Sequence, residues 1–327
     1  MVIIVEVIAG TEVYMDAMLD GLNPMQREAV LQTEGPVLIM AGAGSGKTKV
    51  LTCRVAHLLA KGVRPYQILA ITFTNKAAAE MKERVRSMVG PQSKDIWLST
   101  FHAFCAKLLR MEIEGMAGYK RNFVIYDTSD TQALVKSCLK QLNLDDKQFQ
   151  PNSVLSAIST AKNALQDDRE FAQHAGNFHE QKVAEVYQLY QQKLRNNNAL
   201  DFDDLLMLAV SLLQNNEEVL EKYQNKFNYI MIDEYQDTNR AQYLLAQMLA
   251  DKHRNLCVVG DVDQSIYGWR GADIRNIMDF EKDYPEVKII TLEQNYRSTQ
   301  VILNAANAVI ENNNDRRPKE LWTQNPQ

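Results

Sequence analysis

One eight-residue run, Ala41-Gly42-Ala43-Gly44-Ser45-Gly46-Lys47-Thr48, constrains this 327-residue chain more than any other feature. It follows Val37-Leu38-Ile39-Met40, a short apolar run bounded by Gly35-Pro36. It precedes Val50 to Leu59, where apolar residues recur at helical spacing. Strand, glycine-rich turn and helix, in that order, are the context of a phosphate-binding loop. Small residues at Ala43, Gly44, Ser45 and Gly46 let backbone N–H groups curl around phosphate oxygens, and the helix N-terminus adds partial positive charge. Lys47 is placed to bridge β- and γ-phosphates, and Thr48 to offer its hydroxyl to Mg²⁺. Ala41 stands where the strict pattern has glycine, and it is small enough to keep the turn. A glycine-rich turn that binds nothing is the plainer alternative, and the flanking strand and helix argue against it.

The rest of the chain alternates around this loop. Asn23-Pro24 predicts an N-cap and first helical residue. Ile68–Phe73 reads as a buried strand, followed by a helix that Thr74 or Asn75 caps. Ile96–Phe101 is a third strand and runs into a helix with His102, Phe104, Leu108 and Leu109. This βαβα order predicts an α/β fold, a parallel sheet covered by helices on both faces. From about Met111 to about Lys226 the alternation stops and the chain reads as an inserted, mostly helical domain. Val183, Val186, Tyr187, Tyr190 and Leu194 form its core stripe, and charges such as Lys162 and Arg169 are expected on a solvated face. Strands resume at Tyr229–Glu234, Leu256–Asp261 and Lys288–Leu292, and a last helix spans about Thr299–Glu311.

The length suits two or three domains. The net charge of −5 excludes a globally basic nucleic-acid binder, so any such contact must be a local patch. The four cysteines, Cys53, Cys105, Cys138 and Cys257, lack metal-ligand spacing, which fits a reducing cytosol and a cytoplasmic protein. No stretch is long and apolar enough to span a membrane, so no membrane partner is expected.

Two strand ends carry acidic residues. In an open parallel sheet, ligands bind beyond the carboxyl ends of the strands, the edge where the phosphate loop lies. Asp233 is assigned to Mg²⁺ and Glu234 to general-base work on the attacking water. Gln264, after Gly260-Asp261, is placed to sense the γ-phosphate. Phe73, Phe101, Tyr267 and Trp269 lie just beyond strand ends or in the loops that follow, beside Asn75, His102 and Arg270. Aromatic faces bind bases at about 1–3 kcal/mol each without regard to sequence. For Phe101 a core role is an equal alternative.

Several of these segments belong to one ordered set. They are Leu22-Asn23-Pro24-Met25-Gln26; the phosphate loop; Thr72-Phe73-Thr74-Asn75-Lys76-Ala77-Ala78; Ser99-Thr100-Phe101-His102; Ile232-Asp233-Glu234-Tyr235-Gln236-Asp237; Gly260–Ala272; and Leu292-Glu293-Gln294-Asn295-Tyr296-Arg297-Ser298. The set resembles the UvrD/Rep/PcrA-type superfamily 1 DNA helicases over Met15 to Trp322, and within that family it is most similar to PcrA and UvrD. The resemblance implies two RecA-like domains that use ATP and Mg²⁺ to move 3′→5′ along single-stranded DNA and open single-strand/duplex junctions in repair or replication. By position, Gln26 would read the adenine, Tyr296 would stack on it, and Arg297 would touch the γ-phosphate. Lys47, Asp233, Glu234, Gln264 and Arg297 would serve catalysis. Phe73, Thr74, Asn75, His102, Tyr267, Trp269 and Arg270 would meet DNA, with Gln264 coupling the two ligands. Lys49 departs from the family's arginine and cannot make its forked contact.

The resemblance sets expected boundaries: a first motor domain at 15–110 and 227–297, the helical insertion at 111–226, and the start of a second motor domain at 298–327. Read this way, the chain is the N-terminal part of a helicase, monomeric as a fragment. Residues 1–14 read as an extension ahead of a natural start at Met15, with an added edge strand, favoured by Val2, Ile3, Ile4, Val5, Val7 and Ile8, as the competing reading. Two other functions stay open. A RecB/AddA-like helicase–nuclease motor would carry a nuclease domain in its full-length product. A nucleotide-gated DNA-binding module would show no DNA-stimulated hydrolysis.

Overall fold

The computed structural model describes residues 18–313 and 319–326. The readings on residues 1–14 and the Met15 start fall outside them, as do residues 314–318 of the expected second-domain start and the Arg270 side chain. After helix α1 (Pro24–Leu31) come β1 (Val37–Ala41), α2 (Lys47–Ala60), β2 (Ile68–Thr72), α3 (Asn75–Val89), β3 (Trp97–Thr100) and α4 (Phe101–Glu112). A second stretch holds β4 (Val124–Ile125), α5 (Thr128–Gln141), α6 (Pro151–Asn163), α7 (Asp168–His174), α8 (Phe178–Asn196), β5 (Ala199–Leu200), α9 (Phe202–Asn215) and α10 (Glu217–Lys226). The chain then returns through β6 (Tyr229–Ile232), α11 (Arg240–Ala250), β7 (Leu256–Gly260), α12 (Arg275–Met278), α13 (Phe280–Asp283), β8 (Lys288–Leu292) and α14 (Gln300–Ile310).

Six strands form one sheet in the order β3-β2-β6-β7-β1-β8. Every pairing in it is parallel. The strands read as unbroken apolar runs because both faces are covered. On β1, Leu38 and Met40 face one core while Val37, Ile39 and Ala41 face the other. Ile230 and Ile232 are split from Met231 in the same way on β6. Ala41 thus serves as the last inward-facing strand residue, 1% exposed.

Four expected strands are shorter, and at two of them, β2 and β3, a capping threonine starts the next helix. Thr100 accepts the Ala103 N–H at 3.3 Å, so Phe101 opens α4 and does not close β3. Thr74 accepts the Ala77 N–H at 3.1 Å and starts α3, leaving Phe73 between strand and helix. These caps aim both helix starts at the carboxyl edge of the sheet.

The helices from α5 to α8 close around a core of their own, which includes Val183, Val186, Tyr187, Tyr190 and Leu194. Helix α9 instead joins the main core through Leu205, Leu206 and Leu213. Lys162 corrects the expectation of a solvated face. It is 1% exposed, with Nζ 2.7 Å from both Asp201 Oδ2 and Asp204 Oδ1. A buried ammonium persists only when paired, and its partners lie on the turn into α9. Arg169 is exposed as expected. Among the described residues, no helix is long and apolar enough to cross a membrane.

Candidate nucleotide and nucleic-acid site

The phosphate loop joins β1 to α2. Gly46, at φ 86°, is the N-cap of α2, and no side chain caps the helix's first N–H groups. A Cβ at Gly46 would lie 2.8 Å from Gln26 Nε2, and one at Gly44 (φ 67°) would lie 2.6 Å from Asn295 Nδ2. The loop therefore needs glycine for conformation and for close approach. Its outer wall comes from the segment after β8. Asn295 donates to the Ala43 carbonyl at 2.6 Å, and the Tyr296 N–H donates to Gly44 O at 2.9 Å.

Gln26 and Tyr296 come together beside the loop. Asn23 Nδ2 donates to the Tyr296 hydroxyl at 2.8 Å, and Gln26 Nε2 donates to Ser45 O at 2.8 Å. Gln26 is buried and closes a capping box with Asn23. Arg297 stands exposed above Gly44. Lys49 turns away from the loop, and its amine donates to Gly21 O at 2.7 Å.

Lys47 Nζ lies 2.9 Å from Glu234 Oε2 across the loop. Glu234 has φ 50° and ψ 45°, a left-handed conformation that costs a non-glycine residue about 1–2 kcal/mol. Asp233, buried at the end of β6, has its pKa pushed up to about 6, first by burial and then by Glu234, with Lys47 opposing. Such a carboxylate gains from a nearby cation. The N–H cradle, the Lys47 ammonium, the Thr48 hydroxyl and the Asp233–Glu234 pair form a donor set that fits a nucleotide triphosphate with Mg²⁺.

Gln236 belongs to this site although sequence reasoning gave it no role. Its Nε2 donates to Glu234 Oε2 at 2.9 Å and to Asp237 Oδ2 at 3.2 Å. Its Oε1 accepts the Asp261 N–H at 3.0 Å. Glu234 is thereby tied to the end of β7, where Gln264 Nε2 donates to Asp261 Oδ2 at 2.5 Å. A Cβ at Gly260 would sit 2.6 Å from Gln236 Oε1, so glycine leaves room for the link. The position of Gln236, two residues beyond Glu234 in a motif already singled out, was the available signal. Lys319, paired with Asp261 and with Asp263 at 2.6 Å, gave no signal at all.

On the other side of β6 lies a cleft of about 480 Å³. Phe73, Phe101, His102, Tyr267 and Trp269 line it. Phe73 and Tyr267 stack at 5.3 Å between centroids, and Trp269 follows at 6.5 Å from Tyr267. Trp269 is 75% exposed, whereas Phe101 is 4% exposed and part of the main core. Burial lowers the His102 pKa, which favours the neutral imidazole. Thr74 and Asn75 begin α3 beyond Phe73.

The opposite wall of the cleft is polar and comes from the helical stretch and α11. Asn163 donates to Asp203 Oδ1 at 3.1 Å and accepts from Asn239, the N-cap of α11. Neither wall residue could be found from the sequence, because α6 and α11 are distant in the chain.

The fold and loop define a phosphate-loop nucleotide-binding module of RecA-like type. A family model described as the UvrD/REP helicase N-terminal domain matches residues 22–285. The chain belongs to that family. It is similar to the ATP-dependent DNA helicase PcrA of Bacillus subtilis strain 168, 60% identical over 309 residues, 94% of this chain and 42% of that protein. It is also similar to the PcrA helicases of Staphylococcus aureus strain Mu50, 58% identical over 95% of this chain and 43% of that protein, and of Staphylococcus epidermidis, 57% identical. The chain thus spans less than half the length of these curated relatives.

Proposed function

We propose that this chain supplies the ATP-binding part, and part of the single-strand-binding surface, of an ATP-dependent DNA helicase that moves 3′→5′ in repair or replication. The observation that carries this is the continuous link from Lys47 through Glu234 and Gln236 to Asp261 and Gln264, with the aromatic cleft opening beyond it. Two ligands bound on either side of such a link can sense one another.

In this reading Lys47 and the loop N–H groups hold the β- and γ-phosphates, and Thr48 and Asp233 hold Mg²⁺. Bound there, Mg²⁺ would offset negative charge on the phosphates. Glu234, released from Lys47 when that amine turns to phosphate, orients the attacking water and accepts its proton. Gln26 and Tyr296 flank the adenine, and Arg297 approaches the γ-phosphate. Bases stack at Phe73, Tyr267 and Trp269, and the polar wall of Asn163 and Asn239 borders the strand.

The test is anisotropy of a labelled oligothymidylate with no nucleotide, with Mg·ADP and with a non-hydrolysable Mg·ATP analogue. Affinity should change with nucleotide state, and Gln264→Ala should erase that difference while both ligands still bind. DNA affinity blind to nucleotide in the unmodified chain would overturn the proposal. Nucleotide-dependent affinity without any DNA-stimulated hydrolysis, in this chain and in a longer one, would favour a gated binding module over a motor.

A further inference from the structure

A second groove lies along the free edge of β3, the terminal strand of the sheet, and encloses about 750 Å³. Lys82, Arg86, Lys94 and Lys107 line it, and Glu83 is the one acid among its lining residues. Lys82 and Arg86, four apart on α3, stand on one helix face about 6 Å apart along the axis. At the side of β3, the Trp97 ring has Lys107 Nζ at 3.6 Å and Lys226 Nζ at 4.1 Å from its centroid.

Among the described residues, none of these five cations makes an ion pair, although the nearby Lys222 and Lys252 pair with Glu112 and Glu221. This happens on a chain of net charge −5, where carboxylates outnumber cations. Burial first, and then neighbouring lysines, hold the Lys107 and Lys226 amines below the usual lysine range. Crowded cations of this kind repel one another, and an anion relieves the repulsion.

The groove lies further along the two helices that begin beside the aromatic cleft. Helix α3 starts at Asn75, two residues after the cleft residue Phe73, and α4 starts at the cleft residues Phe101 and His102. Further along the same helices come Ala79, Lys82 and Arg86, and Ala103 and Lys107. From Asn75 to Arg86, α3 rises about 16 Å. The strand edge offers little to a pairing peptide, since the Leu98 N–H turns back to Ile96 O at 3.1 Å. Phosphates need only the cations.

We propose that this groove is a phosphate track that carries single-stranded nucleic acid onward from the stacking cleft, with Lys82, Arg86, Lys94 and Lys107 as its contacts. The track rests on the reading of the cleft as a single-strand site. The experiment therefore compares a short and a long oligothymidylate, about 4 and about 16 nucleotides, the range of single-strand site sizes. Anisotropy titrations across salt concentrations use the unmodified chain, the Lys82→Gln/Arg86→Gln/Lys107→Gln variant, Lys82→Arg/Lys107→Arg, and Trp269→Ala. Losing three phosphate contacts should flatten the salt slope for the long oligomer by about 2. It should leave the short oligomer unchanged, and the arginine variant should keep the full slope. Trp269→Ala should weaken both oligomers. An unchanged long-oligomer slope in the glutamine variant sinks the track while leaving the cleft intact. So does charge-dependent binding of a poly-aspartate peptide without any effect on DNA, which would mark the groove as a guarded edge that captures acidic peptides. If neither oligomer binds the unmodified chain, the cleft reading fails and the track fails with it.

Discussion

Replacing Lys162 by methionine should destabilise the chain by about 4 kcal/mol at pH 7. The amine is fully buried between Asp201 and Asp204, at 2.7 Å from each, and the substitution leaves both carboxylates without a cation. Removing one partner of a buried pair costs about 3–5 kcal/mol. Protonation limits the penalty. A carboxyl of ordinary pKa takes a proton at pH 7 for about 4 kcal/mol, a cost that falls by about 1.4 kcal/mol per pH unit. Hydrogen bonds from Tyr190 to Asp201 at 2.8 Å and from Gln191 to Asp204 at 3.0 Å remain and keep the loss from rising further.

The pH dependence carries a sign. Burial opposes the Lys162 charge, but Asp201 and Asp204 raise its pKa above the unfolded value. Its stabilisation is therefore complete below the unfolded lysine pKa and is lost only in strong alkali. Burial also opposes the Asp201 charge, yet Lys162 lowers its pKa, so its contribution persists until acid below the unfolded value. Between pH 7 and pH 5 the Lys162–Asp201 pair of the unmodified chain thus stays in force, whereas Asp204, pushed up to about 6 by burial and by Asp201, takes up a proton; in the variant both orphaned carboxylates do so. The deficit should therefore narrow as the pH falls to 5, since the variant takes up protons at both carboxylates and the unmodified chain at Asp204 alone. Urea melts followed by circular dichroism measure it, and adding Asp201→Asn and Asp204→Asn should recover most of the loss. A deficit under about 1 kcal/mol at pH 7, or one that does not narrow with acid, would refute the reasoning.

Three further outcomes follow from the site. Asp233, raised to about 6 mainly by burial, is deprotonated at pH 7.5, so Mg²⁺-dependent nucleotide affinity should fall up to tenfold per pH unit below about 6; calorimetric titration with Mg·ADP at several pH values checks it, and a flat profile removes Asp233 as a metal ligand. Gly46→Ala should weaken nucleotide binding at least tenfold, because its Cβ meets Gln26 and its φ is left-handed, whereas Gly62→Ala, also left-handed but with open space around it, should cost stability alone. Trp269→Ala should weaken oligothymidylate binding by about 1–3 kcal/mol with little sequence preference, and equal affinity in an anisotropy titration takes Trp269 out of the site.

The sheet was legible because β1, β2, β6 and β7 are buried on both faces and so read as apolar runs broken by turns. The phosphate loop and the Asp233–Glu234 pair were legible for a related reason: local chemistry, a glycine turn or a strand-end acid, marks them within a few residues. What stayed hidden depends on contacts between distant segments. Lys162 looks like any surface lysine until Asp201 and Asp204 are seen beside it. Gln236 stands in a motif already singled out, but its role as a link shows only where Glu234 and Asp261 converge on its amide. The segment 319–323 folds back on the loop, where a Cβ at Gly42 would meet the Leu321 side chain, and nothing in its composition announces that return. Phe101 shows the limit of reading aromatics by position, since it lines the cleft and also belongs to the core.

The most direct test of the nucleotide site is equilibrium binding of a fluorescent ATP analogue with Mg²⁺, to the unmodified chain and to Lys47→Ala. The Lys47 amine lies 2.9 Å from Glu234 beside the loop, placed for phosphate. A charge-assisted contact of about 1.5–3 kcal/mol predicts binding of one nucleotide per chain, weakened roughly ten- to a hundredfold in the variant. Equal affinity in the two proteins, with both folded by circular dichroism, would contradict the account.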